Sequence, residues 1–80
     1  MAVRLVFLGK LADLAGTDER EIAAPLDWDG LLAALDGALA EAVAGERMRI
    51  AVNGALLADK TTLAAADGDE VALLPPVSGG

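Results

Sequence analysis

Residues 67–80 read DGDEVALLPPVSGG, a run that combines a turn, an apolar strand and an extended tail. Asp67-Gly68-Asp69 is typical of a tight turn, and the apolar residues that follow predict a last strand over Glu70–Leu74. The Pro-Pro pair after it lacks backbone N–H groups, so it cannot continue a sheet ladder and favours polyproline II. The sequence therefore predicts a folded domain over residues 1–74 and an extended tail over residues 75–80.

The composition limits the chain to one small domain. It has 80 residues, of which 55% are hydrophobic and only 2% aromatic, and a chain of this length forms a single domain. Thirteen acidic residues against six basic ones give a net charge of -7. This charge argues against binding to nucleic acid, because a phosphate backbone needs a basic stripe, and it favours a partner with a basic patch.

The residue types that are missing exclude whole classes of chemistry. The sequence contains no Cys and no His, so thiol chemistry, cysteine-held zinc, iron–sulfur clusters and imidazole bases are excluded. Asp67 and Asp69 supply too few oxygen ligands for a calcium loop, and we expect no metal site. Without disulfides, and with apolar runs far shorter than the about 20 residues of a membrane span, we expect a cytoplasmic protein that does not enter the membrane.

Periodicity and turn residues predict the other elements, which alternate between strands and helices. Their order is a strand at Val3–Leu8, a short helix at Lys10–Ala15 ending at Gly16, an edge strand within Thr17–Ala24, a long helix from Asp27 to Gly45, a strand at Met48–Val52, an Asn53-Gly54 turn into a short strand at Ala55–Ala58, a helical turn at Leu63–Ala66 and the last strand. This order predicts an α+β fold, with a mixed sheet and one main helix packed on one face.

The chemistry of the chain points to its tail. Gly79 and Gly80 have no side chains, so they pass through narrow spaces and leave the α-carboxylate of Gly80 unhindered. Six extended residues reach roughly 20 Å. Adenylation of the carboxylate would allow attack by sulfur, giving a thiocarboxylate, or by an amine, giving an amide. The alternative is a frayed end without function.

The C-terminal run resembles that of the small, sulfur-carrying subunit of molybdopterin synthase, the MoaD family. In that family a Gly-Asp turn leads into the last strand and Pro-Pro-Val-x-Gly-Gly ends the chain, as in residues 68–80 here. Residues 11–17 (LADLAGT) and 51–54 (AVNG) are similar to the family's first helix and middle strand. Leu74 stands where the family often has an aromatic residue, and Ala12-Asp13 stands where it often has Arg-Glu.

The resemblance implies the ubiquitin-like β-grasp fold and a sulfur carrier of molybdenum cofactor biosynthesis. A ubiquitin-activating-type adenylating enzyme would transfer AMP from ATP to Gly80, and a sulfur donor protein would then help to form the thiocarboxylate. The large subunit of molybdopterin synthase would use this sulfur to convert cyclic pyranopterin monophosphate into the dithiolene of molybdopterin. The chain itself would bind no cofactor and would act only in a heterotetramer with the large subunit.

The expected site residues lie at the end of the chain. Gly80 would carry the reacting carboxylate, while Leu73 and Leu74 would contact the partner on the sheet surface beside the last strand. The residues expected to thread into the partner's active site are Pro75, Pro76, Val77, Ser78 and Gly79.

Other functions remain open at this point. A thiazole-pathway (thiamine) sulfur carrier has the same fold and Gly-Gly end. A ubiquitin-like modifier would join its C-terminus to lysines by an amide bond. A pure interaction domain would have an inert tail.

Overall fold

The computed structural model describes residues 1–35 and 37–76. The strands are β1 (Ala2–Phe7), β2 (Glu19–Ala23), β3 (Leu26–Asp27), β4 (Arg49–Val52), β5 (Ala55–Leu56), β6 (Ala64–Ala65) and β7 (Glu70–Leu74). The helices are α1 (Lys10–Ala15), α2 (Trp28–Ala34) and α3 (Gly37–Ala44), and a 3₁₀ turn spans Lys60–Thr62.

A mixed sheet of five strands, in the order β2-β1-β7-β4-β5, organises the chain. Strands β1 and β7 are parallel neighbours, with Phe7 opposite Leu73, while β2, β4 and β5 are added in antiparallel pairs. Two parallel neighbours need a crossover connection, and the helices between them supply it. The last strand therefore occupies the centre of the sheet and ends where residues 75–80 begin.

One face of the sheet carries the hydrophobic core. Val3, Leu5 and Phe7 of β1, with Val71 and Leu73 of β7, are at most 2% exposed, because alternate side chains of a strand point to the same face. The residues of the helices and of the α2 C-cap that are buried in the same cluster are Leu11, Leu31, Leu35, Leu39 and Val43. The predicted α+β mixed sheet is confirmed, and its opposite face is not covered by the helices.

Two predicted elements around this sheet are confirmed in detail. The short helix α1 has the predicted bounds, and Gly16 ends it in the left-handed conformation at φ 74°. Strand β2 lies at the edge of the sheet, as its charged sequence predicts.

The main helix packs against the core as predicted, but it is divided into two. Asp27 caps α2, where its carboxylate accepts from the Gly30 N–H at 2.7 Å, and α2 ends at Leu35 in an extended conformation with ψ 153°. The second helix, α3, begins at Gly37. Glycine has low helix propensity, so the interruption falls where the helical sequence is weakest.

The predicted helical turn at Leu63–Ala66 is wrong. Ala64 and Ala65 form β6, which pairs with β3, and the helical turn lies earlier, at Lys60–Thr62. The physical reason is a cap: the Asp59 carboxylate accepts from the Thr61 N–H at 3.0 Å and from its hydroxyl at 2.7 Å. An Asp that bonds the backbone two residues on favours a turn at that place.

Candidate functional site

The start of β7 is fixed by the turn that precedes it. The Asp67 carboxylate accepts from the Ala2 N–H at 2.8 Å, and the Asp69 carboxylate accepts from the Ala66 N–H at 2.9 Å. Gly68, between them, has φ 87°, a conformation that suits glycine. Asp67 and Asp69 are therefore turn-forming residues, as the sequence predicts.

A second turn is joined to the first by Asn53. Its amide nitrogen donates to Asp69 at 3.0 Å, and its amide oxygen accepts from the Glu70 N–H at 2.9 Å. The Asn53-Gly54 and Gly68-Asp69 pairs are far apart in the sequence, and their contact follows only from the pairing of β4 with β7. We call Asn53, Asp67, Asp69 and their backbone partners the β7 clamp.

The clamp also shifts the acidity of one of its carboxyl groups. The N–H of Ala66 and the side chain of Asn53 hold the pKa of Asp69 below its usual value. Hydrogen bonds to a carboxylate favour its charged form, so the clamp is strongest when Asp69 is ionised.

The far end of β7 differs, because its backbone leaves the ladder there. Pro75 is half-buried and Pro76 is exposed, and neither has an N–H to donate to a neighbouring strand. Both line an apolar cavity of about 430 Å³ beside α1 and the C-terminal end of α3. The described part of the tail thus starts at the domain surface and points onward from the central strand.

The two leucines before the prolines lie on opposite faces of the sheet. Leu73 is fully buried in the core, so the prediction that its side chain contacts a partner is wrong. Leu74 is half-buried on the uncovered face. Successive side chains of a strand point to opposite faces of the sheet, which explains the difference. The sequence does not show which leucine faces the core, because both positions carry the same residue.

The uncovered face presents a continuous apolar row. Val6 lies opposite Ala72, Ala72 opposite Ala51, and Ala51 opposite Leu56, so the row crosses four strands. Leu56 is 62% exposed. We call Val6, Leu56, Ala72 and Leu74, together with the buried Ala51 between them, the open sheet face. Its contiguous apolar side chains are typical of a protein contact surface.

Charged residues border this face. Arg4 approaches Glu70 with an Nη1–Oε2 distance of 3.4 Å, and Arg49 lies directly opposite Leu74. Both members of the Arg4–Glu70 pair are about half exposed, so the pair adds little to stability. Arg49 thus places positive charge beside an apolar surface on a chain whose net charge is -7, while the charge of Arg4 is paired with Glu70.

The remaining predicted site residues, Val77, Ser78, Gly79 and Gly80, lie outside the described residues. Their roles therefore stay predictions. Among the described residues, no group of three acidic side chains is placed to hold a metal ion. None of the helices in the described ranges is long and apolar enough to cross a membrane.

Lys60 has a structural role that no local pattern in the sequence indicates. Its Nζ donates to the carbonyl oxygen of Val43 at 3.0 Å and to that of Gly45, and it lies 5.6 Å from the centre of the Trp28 ring. A cation at a helix C-terminus satisfies free carbonyls and complements the dipole. Partial burial lowers the pKa of Lys60.

A small β-grasp-type domain with a tail leaving the central strand defines a class of ubiquitin-like carrier proteins. The model of the ThiS family matches residues 5–80, nearly the whole chain. The chain therefore belongs to the ThiS family. The predicted resemblance to ubiquitin-like carriers and the predicted fold class are confirmed.

Solved structures of two kinds are similar to this chain over essentially its full length. The small archaeal modifier protein 1 (SAMP1) of Haloferax volcanii superposes with a TM-score of 0.76 at 27% identity, covering 100% of both chains. SAMP1 of Methanosarcina acetivorans gives a TM-score of 0.79 at 27% identity, covering 99% of this chain and 96% of that one.

The second kind is a molybdopterin-converting factor. A chain of the complex of subunits 1 and 2 of molybdopterin-converting factor from Helicobacter pylori is 33% identical, with a TM-score of 0.68 and 100% of both chains covered. No curated protein matched the sequence. The chain is thus a carrier or modifier of the ubiquitin-like type.

Proposed function

We propose that this chain is the sulfur carrier subunit of a molybdopterin synthase. The observation that carries the proposal is the position of the tail: residues 75–76 leave the central strand beside Leu74, at the border of the open sheet face. A partner that covers this face would lie next to the point at which the described part of the tail ends. The 33% identity to a chain of a molybdopterin-converting factor complex supports a large-subunit partner of the same kind.

The reacting group in this proposal is the α-carboxylate of Gly80. One carboxylate oxygen attacks the α-phosphorus of ATP on the adenylating enzyme, so that pyrophosphate leaves and an acyl-adenylate forms. A sulfur nucleophile from the donor protein then attacks the carbonyl carbon and AMP leaves. The attacking sulfur is the outer sulfur of a persulfide, so the product is an acyl disulfide. A thiol of the donor system then attacks the donor-side sulfur, so that the S–S bond breaks, the thiocarboxylate leaves and a disulfide forms on the donor side.

The chain contributes delivery, and its partners contribute the acid and base groups. It has no His or Cys to act as base or nucleophile. The two carboxyl groups with a lowered pKa, Asp59 and Asp69, accept hydrogen bonds within turns. Two glycines before the reacting carbon leave no Cβ to block attack. The carboxylate enters the partner's active site through the tail residues after the prolines, which are Val77, Ser78 and Gly79. The adenylating partner, and not this chain, uses ATP.

Docking on the open sheet face fits the same proposal. Leu74 and Leu56 present apolar area, and Arg49 beside them offers a donor for an acidic group of the partner. Buried apolar anchors surrounded by polar groups are the usual source of binding energy at protein interfaces. The large subunit and the adenylating enzyme would use this face in turn, because each must accept the same tail.

A second candidate function is favoured by the modifier structures. The two SAMP1 structures superpose with TM-scores of 0.76 and 0.79, which makes an amide-forming modifier the alternative. The difference lies in the nucleophile that attacks the acyl-adenylate: sulfur gives a carrier, and a lysine amine gives a modified protein.

Reconstitution with purified partners tests the proposal. The chain is charged with sulfur, mixed with a molybdopterin synthase large subunit and cyclic pyranopterin monophosphate, and the dithiolene product is measured. We expect stoichiometric sulfur transfer with return of the chain to its carboxylate form. Lysine adducts without dithiolene would favour the modifier, and transfer only to a thiazole-forming enzyme would favour the thiamine pathway.

A further inference from the structure

We propose that Gly9 sets the direction in which the tail leaves the domain, by leaving room for the Pro75 ring against the β1–α1 turn. The inference rests on the proposed function for its activity readout, and it concerns a residue outside the C-terminal run.

Gly9 and Pro75 are brought together by the parallel pairing of the first and last strands. Phe7 of the first strand lies opposite Leu73 of the last strand. Gly9 and Pro75 each follow two residues after this pair, so the two residues meet just beyond the ends of the strands. A Cβ placed on Gly9 would lie 3.1 Å from Cγ of Pro75. Carbon atoms in favourable contact are about 3.5–4.0 Å apart, so an added methyl group would push the Pro75 ring away.

The backbone of Gly9 has a second requirement for glycine. Its dihedral angles are φ 55° and ψ −130°, outside the regions that residues with a side chain adopt readily. Gly16, Gly54 and Gly68 also have positive φ, but a Cβ on any of them would meet no atom of the described residues within 4 Å. Among these four, only Gly9 combines a positive φ with a contact to the tail.

A small shift at Pro75 has a large consequence further along the chain. Proline fixes φ near −65°, so the Pro-Pro pair transmits a change of direction rather than absorbing it. Reacting groups must be placed accurately, because a misplacement of about 1 Å lowers the rate on the order of 100-fold. Gly9 is therefore a positioning residue for the tail, acting through Pro75.

The test uses the full chain with its adenylating enzyme and ATP. We expect Gly9→Ala to lower kcat for adenylation by about 10-fold, while KM for the carrier stays within about 2-fold, because the open sheet face is unchanged. Gly16→Ala is the matched control: it places a side chain at another positive φ on the other end of α1, and its kcat should stay near that of the wild type.

Removal of Pro75 Cγ, the atom that a Cβ on Gly9 would meet, distinguishes two causes of the rate loss: a changed direction of the tail and strain in the backbone of residue 9. In a Pro75→Ala background, which lacks Cγ, the further change Gly9→Ala should cost less than 2-fold, about the precision of the assay. In a Pro76→Ala background, the full 10-fold loss should remain. An equal loss in both backgrounds would show that Gly9 acts only through its own backbone, and would overturn the inference.

A nuclear magnetic resonance measurement needs neither activity nor a folded variant. We expect a nuclear Overhauser effect between the Gly9 α-protons and the Pro75 γ-protons of the wild type, and its absence overturns the inference. If the wild type is not adenylated at all, the proposed function fails. The Gly9 inference is then decided by this contact.

Discussion

The two ends of β7 differ in how many hydrogen bonds hold them. At its start, Asn53 donates to Asp69, and Asn53, Asp67 and Asp69 accept from backbone N–H groups of three segments. At its end, Pro75 and Pro76 offer no donor to the neighbouring strands. The same strand is thus anchored on one side and released on the other, so changes at the start should alter stability and changes at the end should alter transfer.

The largest expected effect is at the released end. Deletion of Gly80 removes the reacting carboxylate from its place, and Gly79→Val adds a branched side chain where the tail must pass. We expect either change to lower sulfur transfer by at least about 1,000-fold, because correct placement supplies most of the rate. The melting temperature should stay within about 2 °C, since chain termini contribute little to stability.

Single-turnover transfer and thermal melting, measured on the same preparations, check this prediction. Gly54→Ala is a useful control, because it strains a turn at φ 84° that is distant from the tail. It should lower the melting temperature and leave transfer intact. Transfer retained after deletion of Gly80 would contradict the account of the released end.

The next effect concerns the surface beside the released end. Leu56→Glu places a charge in the apolar row of the open sheet face at a side chain that is 62% exposed, so folding should tolerate it. We expect affinity for the large subunit to fall by about 10- to 100-fold, the usual loss at a central interface residue. Calorimetric titration would measure it.

Ala33→Glu is the charge control for this variant. Ala33 is exposed on α2, a helix that packs on the other face of the sheet, and an added charge there should change affinity less than 3-fold, as for most residues outside the centre of an interface. Equal losses at both positions would mean that charge alone, and not the open sheet face, determines binding.

A smaller effect is expected at the anchored end. Asn53→Ala removes both side-chain hydrogen bonds between the two turns and places alanine at φ 51°. We expect a loss of about 1–2 kcal/mol in the free energy of unfolding. Each kcal/mol lowers the melting temperature of a domain of this size by roughly 4–8 °C. Transfer should remain within 2-fold of the wild type at a temperature where both are folded.

Asn53→Gly separates the two causes of this loss, because glycine accepts the positive φ but makes no side-chain hydrogen bond. Thermal melts of both variants give the share of each. A variant that melts normally but transfers sulfur poorly would contradict the division between the two ends.

The smallest expected effect is a pH dependence of the clamp. The pKa of Asp69 is lowered in the folded state, so its stabilising contribution is present above the ordinary value near pH 4 and is lost as the pH falls through the folded value. Asp69→Asn should therefore destabilise the domain at pH 7 and differ less from the wild type at pH 3. A difference in melting temperature that is constant with pH would contradict this.

Local patterns in the sequence predict the strands and turns well, because each depends on a few neighbouring residues. Glu70–Leu74 alternates, Gly16 ends a helix, and Asn53-Gly54 makes a hairpin turn. The pairing of Ala64–Ala65 with Leu26–Asp27, by contrast, depends on how distant segments pack. Periodicity along one segment contains no such information.

The candidate site shows the same limit. The tail residues and the turn carboxylates are visible in the sequence as a run. The side of the sheet on which Leu73 and Leu74 lie, the bond between Asn53 and Asp69, and the contact between Gly9 and Pro75 all require the register of β7 between β1 and β4. Register is a property of the sheet, so only the fold reveals these contacts.

Intact-mass spectrometry of the chain tests the central claim most directly. The protein is incubated with its adenylating enzyme, ATP and a sulfur source, and then fragmented to locate any change. The account predicts a mass gain equal to the replacement of one oxygen by one sulfur, confined to Gly80 and absent without ATP. An unchanged mass, or a sulfur found on any other residue, would contradict it.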